Sequence, residues 1–520
     1  MKKYGLLKAL GIVFLIFVVL SWLIPIGSYA SGTFALDVTA PMGLFDLIRV
    51  PLLTVSNYAI YGIIVLLIGG LYGVMNQSGV YTKLLNAMTK KFKGHEKRFL
   101  ILSIVLFAIL SSISGLNFAI LVIVPLFISA ILLLGYDKMT ALMSTIGAMI
   151  VGTIGSTYGF NVCGYVNYYF GIDVNNGIFV KLAMLALTTI VFILYVTSAK
   201  RLKKIEIKEK AKAEKKAAKT EKVEKKSTKK EAAKKTAKNT KATKEKKVVA
   251  TKAEATKEDK IAIPLYNEKE EKKKSIWPLA IVLILTFIFL LVAMFNWRYG
   301  FEVTLFEEIY ESIMAVEIKG YAILQNILGS LSPLGYWTIT ELGIVLIILT
   351  LLIGWLYNVK FKDGLDAFIE GAKEVLPVAI YVTLANIIMA VVVNIQTSGN
   401  LFLTISDFLL NMTTEFNFLT TSLVAAIGSL FYNDFPYLLN SLVSTLGTRF
   451  TDASIYPVIG LIFQSFYGLV MMIVPTSLML IAGLSYLKIS YKEYLKYAWK
   501  LFLQLFVVIV AVIIVMFLCI

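Results

Sequence analysis

Two polar clusters interrupt long apolar stretches and hold the side chains best suited to bind a small solute. Residues 111–117 read SSISGLN and residues 428–434 read GSLFYND. A second polar break follows each cluster, within 152–161 and within 465–477. Hydroxyl and amide groups form hydrogen bonds without a fixed charge. Interrupted helices direct amide dipoles at anions and free carbonyls at cations. The pattern predicts a site for a carboxylate-bearing solute and a cation.

Asp434 is the one acidic residue in these clusters and breaks. A carboxylate near the interior of a bilayer costs several kcal/mol, so such a residue is a functional candidate by default. It would bind a cation, carry a proton or pair with an amine of the solute. The alternative is a shallow hairpin in which Asp434 reaches water. For the neutral residues, the alternative is helix–helix packing through small polar side chains, which is common in membranes.

The sequence lacks the residues that several other kinds of site would require. Cys163 and Cys519 are the only cysteines and His95 is the only histidine, which excludes cysteine–histidine zinc sites, CxxC redox motifs and histidine proton relays. The sequence shows no nucleophile with a base and no pair of intramembrane aspartates. It also lacks the GxxxxGK[ST] loop of ATP-driven pumps. We therefore expect neither an enzyme nor a protein-bound cofactor or metal, apart from coupling to Na⁺ or H⁺ and a sodium site at the same breaks.

The composition requires a membrane. Of 520 residues, 58% are hydrophobic and 16% are charged, and the mean hydropathy is +0.77. Runs long enough to cross a bilayer as helices recur along the chain. They lie near 9–29, 58–77, 139–165, 178–198, 276–296, 339–358, 375–395, 454–482 and 498–519. The expected fold is an all-α polytopic membrane protein with about nine transmembrane helices.

The distribution of Lys and Arg predicts the orientation, because cytoplasmic loops collect these residues. The basic stretches all fall on one side if residues 100–136 enter the membrane and return to the same face. The N-terminus and the loop KKFKGHEKR at 90–98 would then be cytoplasmic. The loops expected on the opposite side contain only Arg49, Arg298 and Lys319 as cations.

The polar clusters therefore lie at the tips of two predicted re-entrant hairpins, 100–136 and 416–448. The arms of the first are expected to be too short to span separately. Irregular backbone at this depth must be buried in protein or line a wet cavity, so the two tips predict one shared cavity. Asn117 precedes Asn161 by 44 residues, and the second half repeats that spacing between its tip and its break. Because the hairpins open from opposite sides, the halves are predicted to be inverted repeats.

A lysine-rich stretch divides the chain into a first half at 1–199, a linker at 200–274 and a second half at 275–520. The linker holds 28 Lys and one Arg against 13 acidic residues, which accounts for +16 of the chain's net +18. Its low complexity predicts a disordered cytoplasmic connection. The alternative function is a membrane-anchored scaffold whose linker binds anionic lipid or nucleic acid. No nucleic-acid-binding module is present, so specific nucleic-acid binding is not expected.

The sequence resembles a known transporter family in several stretches. These are LSWLIPIGSY at 20–29, IGGLYGVMNQSGVY at 68–81, VPLFISAILLLGYDKMTALM at 124–143, FIEGAKEVLPVAIYVTLANII at 368–388 and GLIFQSFYGLVMMIVPTSLMLIAGL at 460–484. Together they resemble the YfcC family of inner-membrane carriers. That family is related to the C4-dicarboxylate anaerobic carriers and the aminobenzoyl-glutamate transporters of the ion transporter superfamily.

The resemblance implies an elevator-type secondary transporter in the bacterial inner membrane, usually a homodimer. Its solute would be an amino acid, a peptide or a C4-dicarboxylate. The implied solute and ion site comprises Ser112, Ser114, Asn117, Ser156, Thr157, Asn161, Asn433, Asp434, Ser465, Thr476 and Ser477. The second tip departs from the small residues of the relatives, since it carries Phe431 and Tyr432.

Overall fold

The structure is a computed structural model that describes residues 5–30, 33–36, 42–198, 263–267, 273–393, 401–413 and 415–518. Most of the predicted linker, at 200–262 and 268–272, lies outside the described residues, as do parts of two predicted loops at 31–32, 37–41 and 394–400. The described chain is nearly all helical, as its apolar runs predict.

The described residues of the first half form ten helices, one β-ribbon and two π-helical turns. The elements are α1 (Gly5–Leu23), β1 (Gly27–Ala30), β2 (Thr33–Leu36), α2 (Asp46–Gln77), α3 (Val80–Phe92), α4 (Glu96–Ser114), α5 (Asn117–Leu121), α6 (Val124–Leu133), α7 (Lys138–Leu142), a π-helical turn (Met143–Gly147), α8 (Ala148–Ile154), a second π-helical turn (Phe160–Gly164), α9 (Tyr165–Phe170) and α10 (Ile178–Val196). Strands β1 and β2 pair antiparallel, from Gly27 with Leu36 to Ala30 with Thr33.

The second half follows a similar order. It contains α11 (Trp277–Met294), α12 (Trp297–Phe301), α13 (Leu305–Met314), β3 (Glu317–Ile318), β4 (Tyr321–Ala322), α14 (Ile323–Leu328), α15 (Ile339–Leu356), α16 (Phe361–Val393), α17 (Leu401–Leu410), α18 (Phe418–Phe431), α19 (Phe435–Arg449), a 3₁₀ turn (Ala453–Ile455), α20 (Tyr456–Met471), α21 (Leu478–Tyr486) and α22 (Tyr491–Leu518). Each half thus has a very long helix, a helical hairpin, a broken helix and a further long helix.

Nine helices in the described part of the chain are long and apolar enough to cross a membrane. The number of these helices matches the predicted number, but one of the helices is not among the predicted runs. The predicted runs 139–165 and 454–482 are both interrupted, and α4 qualifies in place of the first. The prediction that both arms of the first hairpin are too short is therefore wrong for α4. This helix has 19 residues because it begins at Glu96, inside the basic loop. The re-entrant paths of the hairpins stay predictions.

Helices α2 and α16 form the central pair, and glycines set their separation. A Cβ atom placed on Gly73 would lie 2.0 Å from the carbonyl oxygen of Ala367, and one on Gly371 would lie 2.1 Å from that of Gly69. Further along, Gly62 faces Ala379. Residue numbers fall on α16 as they rise on α2, so the helices are antiparallel. Inverted repeats require this arrangement of their equivalent long helices.

The two broken helices meet next to this pair. Helix α8 packs against α20, and α16 packs against α21. A Cβ atom on Gly468 of α20 would lie 2.7 Å from the backbone nitrogen of Ile154, so the helices touch backbone to backbone at the end of α8. Close approach through small residues is the usual way to hold helices together in lipid. The contact brings the breaks of both halves together.

Candidate functional site

A cavity of about 460 Å³ lies between the two halves. Both hairpin tips, both helix breaks, α2 and the connections after α11 and before α15 contribute to its wall. Five predicted site residues line it, namely Asn117, Asn161, Asn433, Asp434 and Ser477. Its size falls in the range of small-molecule sites.

The first hairpin turns at Gly115, which ends α4 with a left-handed backbone (φ 66°) that glycine adopts without strain. Asn117 then starts α5, and its Oδ1 accepts a hydrogen bond from the Ser111 hydroxyl at 2.9 Å. The same hydroxyl lies 3.3 Å from Oγ1 of Thr153 on α8. This network orients the Asn117 amide at the cavity wall.

Ser112 holds the first tip against the first break. Its hydroxyl donates to the carbonyl of Gly155 at 2.6 Å and lies 3.1 Å from the Thr157 hydroxyl. Its carbonyl accepts from the backbone nitrogens of Thr157 at 3.0 Å and Gly159 at 3.2 Å. Ser156 is also fully buried, and its hydroxyl donates to the Ser112 carbonyl at 3.4 Å. Ser112, Ser156 and Thr157 therefore bond to one another and to backbone and do not line the cavity.

We expect Ser112→Ala to lower the free energy of unfolding by about 1–3 kcal/mol, since it leaves buried partners unsatisfied. Ser103→Ala is the matched control. Ser103 is also fully buried on α4, but its hydroxyl donates only to the Phe99 carbonyl of its own helix. Thermal unfolding in detergent measures both, and equal losses would contradict the role given to Ser112.

The second tip is built around Asn433 and Asp434. Asp434 is the N-cap of α19, where its Oδ1 accepts from the backbone nitrogen of Tyr437 at 3.4 Å. The Asn433 carbonyl accepts a 2.8 Å hydrogen bond from the Tyr467 hydroxyl on α20. Its amide nitrogen faces three acceptors, including the Thr476 carbonyl at 3.2 Å. The second tip and the second break are thus held together, as in the first half.

Two buried amide atoms beside this tip have no hydrogen-bond partner. They are Oδ1 of Asn433 and Nδ2 of Asn386 on α16. The two side chains also contact each other, with Asn433 Nδ2 3.4 Å from Asn386 Oδ1. Buried polar atoms are normally satisfied, so an unsatisfied pair next to a cavity fits a place for a bound ion, water or solute group.

The remaining predicted residues have structural partners. The Ser114 hydroxyl donates to the Leu110 carbonyl at 2.6 Å, and the Ser465 hydroxyl donates to the Leu461 carbonyl at 2.6 Å. Both bonds lie within the residue's own helix. Thr476 is buried and takes part through its backbone carbonyl. None of these three side chains lines the cavity.

Three lining residues escape the sequence analysis, namely Tyr61, Asn296 and Tyr336. Thr153 and Tyr467 also line the cavity, and they lie in the predicted breaks but are not among the predicted site residues. The signal missed is the abundance of tyrosine, with 27 in the chain, in segments that are otherwise apolar. A buried phenol usually needs a partner for its hydroxyl group.

The cavity carries very little charge. Asp434 is the only charged side chain among the described residues that line it. No described group of three or more His, Cys, Asp or Glu residues is arranged to hold a metal ion. The wall therefore offers neutral donors and acceptors together with one carboxylate.

Comparison with known proteins identifies the family. The family model described as C4-dicarboxylate anaerobic carrier matches residues 6–242 and 239–518. The chain belongs to this family. It is a multi-pass membrane protein of a transporter family, as the sequence resemblance predicts.

One solved structure is similar to the chain along nearly its whole length. It is the crystal structure of the YdaH transporter of Alcanivorax borkumensis, described as having an unusual topology, and its sequence is 10% identical. The match covers 98% of this chain and 97% of that one, with a TM-score of 0.38. Among curated proteins, none matches the chain.

Proposed function

We propose that the protein is a secondary active carrier of a small carboxylate-bearing metabolite, driven by a proton or sodium gradient. The observation that carries the proposal is the cavity in which both hairpin tips meet. Its five predicted site residues come from both halves, and Asp434 is its only charged described residue. The family described as C4-dicarboxylate anaerobic carrier supports the same function.

The charge of the cavity restricts the solute. A dicarboxylate beside an ionised Asp434 would be repelled, because like charges at short range in a low-dielectric site are strongly unfavourable. A proton on Asp434 or a sodium ion beside it would remove that repulsion and couple transport to the ion. An amino acid or peptide would instead place its ammonium group against Asp434. In both cases the carboxylate of the solute would accept hydrogen bonds from Asn117, Asn161 or tyrosine hydroxyls.

We also propose the inner membrane as its location, with the N-terminus and the basic linker on the cytoplasmic side. The lysine-poor loops predicted on the other side support this orientation. A homodimer fits the many large apolar side chains exposed on the outer helices, although such surfaces also face lipid.

Uptake into proteoliposomes tests the function. Purified protein would be offered a mixed pool of amino acids, dipeptides and C4-dicarboxylates with an imposed proton or sodium gradient, and internal solutes would be read by mass spectrometry. We expect one class of solute to accumulate, and only with the gradient. No accumulation by folded, correctly inserted protein would contradict the carrier and favour a scaffold that acts through its lysine-rich linker.

A further inference from the structure

A short segment just before α11 is wedged into the helical bundle. Residues 263–267 read IPLYN, and the Leu265 side chain is only 2% exposed. It fills an apolar crevice whose remaining free volume is about 40 Å³. The crevice walls come from α2 and α16 on one side, and from the first hairpin, the first π-helical turn and α21 on the other. We call residues 263–267 the wedge.

Side chains on both sides hold the wedge through its backbone. Asn76 of α2 acts twice, because its Nδ2 donates to the Leu265 carbonyl at 2.8 Å and its Oδ1 accepts from the Asn267 nitrogen at 3.1 Å. The Leu265 nitrogen donates to Glu374 of α16 at 3.0 Å. From the other side, the Tyr486 hydroxyl of α21 donates to the Pro264 carbonyl at 3.3 Å. The wedge is thus bonded to both walls.

The two walls belong to parts of the molecule that contribute differently to the cavity. Helices α2 and α16 are locked together by their glycines. The opposite wall consists of elements that carry the binding residues, namely the hairpin with Asn117 and the broken helix that begins after Ser477. Movement of one part against the other must change the crevice between them, because packed interiors do not deform continuously.

The wedge and part of the cavity wall lie toward opposite faces. Asn76 is next to the end of α2, which leads through α3 to the basic loop assigned to the cytoplasm. The cavity is lined by Asn296 and by residues 335–338, which belong to connections that the charge pattern places on the other side. The structure therefore combines a cavity that extends toward the lysine-poor face with a filled crevice toward the lysine-rich face.

We propose that the wedge closes the crevice between the two walls on the cytoplasmic side, and that it must withdraw before the site opens to the cytoplasm. We call this role of the wedge the latch. The inference rests on the proposed carrier function. Leu265 fills the crevice with an apolar side chain. Hydrogen bonds with Asn76, Glu374 and Tyr486 hold the backbone of the wedge between the two walls. Because the wedge at 263–267 is part of the predicted linker at 200–274, forces on the rest of the linker would act on the latch.

Thiol labelling tests the latch without any solute, so its outcome is separate from that of the transport assay. The chain would carry Cys163→Ser and Cys519→Ser, with Ala482→Cys as the reporter in the crevice, where Ala482 is 2% exposed. A membrane-impermeant maleimide would be added from the cytoplasmic side. Asn161→Cys, placed in the cavity, would report access from the opposite side in a parallel chain.

We expect Leu265→Asp to raise labelling at the crevice reporter about tenfold or more and to lower labelling of the cavity reporter about threefold or more, as a shift between two states requires. Leu265→Met should change neither rate. Leu44→Asp, at a leucine that is 86% exposed, is the matched control for the added charge. If Leu265→Asp does not fold, Asn76→Ala replaces it, since that change removes both hydrogen bonds to the wedge and, apart from them, only a bond to the Tyr72 carbonyl of its own helix.

Two results would overturn the latch. Unchanged labelling of both reporters in a folded Leu265→Asp or Asn76→Ala chain would show that the wedge closes nothing. Faster labelling of the crevice alone, with the cavity reporter unchanged, would show local loosening without a shift of the whole molecule.

Discussion

Replacing Asp434 with asparagine is expected to lower gradient-driven uptake by about 100-fold or more, which corresponds to roughly 2.7 kcal/mol or more of lost coupling. Asp434 is the only charged residue among the described residues lining the cavity, so no neighbour there can take its place. Asparagine keeps the shape of the side chain and is an equally good N-cap, so α19 should still begin at Phe435. The change therefore removes a charge and leaves the fold in place.

Asp452→Asn is the matched control for this substitution. Asp452 is also an N-cap, with its Oδ1 accepting from the Ser454 nitrogen at 2.9 Å, but it is exposed and does not line the cavity. Uptake by Asp452→Asn should equal that of the unchanged chain. Proteoliposome uptake with and without the gradient measures both variants. Undiminished, gradient-dependent uptake by Asp434→Asn would remove the functional role of this carboxylate.

Replacing Gly371 with leucine is expected to prevent formation of the central helix pair. Even a Cβ atom at this position would lie 2.1 Å from the Gly69 carbonyl oxygen and 3.0 Å from the Gly73 Cα. These are backbone atoms of α2, so the helices must separate along their length. Overpacking of a tight contact usually costs about 1–3 kcal/mol, and backbone against backbone should reach the upper end or exceed it.

Gly354→Leu is the control for a leucine added to a transmembrane helix. Gly354 lies on α15, and a Cβ atom there has no neighbour within 4 Å. Size-exclusion profiles and thermal unfolding in detergent should show a folded Gly354→Leu chain and an aggregated or strongly destabilised Gly371→Leu chain. Equal stability of the two variants would mean that α2 and α16 are not in backbone contact.

The sequence predicts the fold class well because bilayer thickness sets the length of the apolar helices that can cross it. The charge of the loops in turn predicts the orientation of those helices. In the described part of the chain, the nine helices long and apolar enough to span a membrane follow from apolar runs, with one exchange between α4 and the interrupted run at 139–165. That error has a local cause. Helix α4 extends three residues into the basic loop before its apolar run begins at Phe99, and hydropathy does not report where a helix starts in polar sequence.

The site is predicted less completely. Polar clusters at matched spacing identify the segments that approach the cavity, but spacing does not report which way a hydroxyl group points. Asn117 faces the cavity, whereas Ser112 in the same cluster bonds to the Gly155 carbonyl. Tyr61, Tyr336 and the packing of the wedge escape altogether, because tertiary structure places these side chains and no local pattern marks them.

The most direct test of the carrier function asks whether the solute passes through the cavity. In a chain with Cys163→Ser and Cys519→Ser, Ile339→Cys places one reactive thiol on the cavity wall at a residue that has no assigned part in binding the solute. Uptake of the solute found in proteoliposomes would be measured before and after complete modification of this thiol with a bulky reagent. We predict that modification stops uptake and that the solute slows modification. Full uptake by completely modified protein would contradict transport through this cavity.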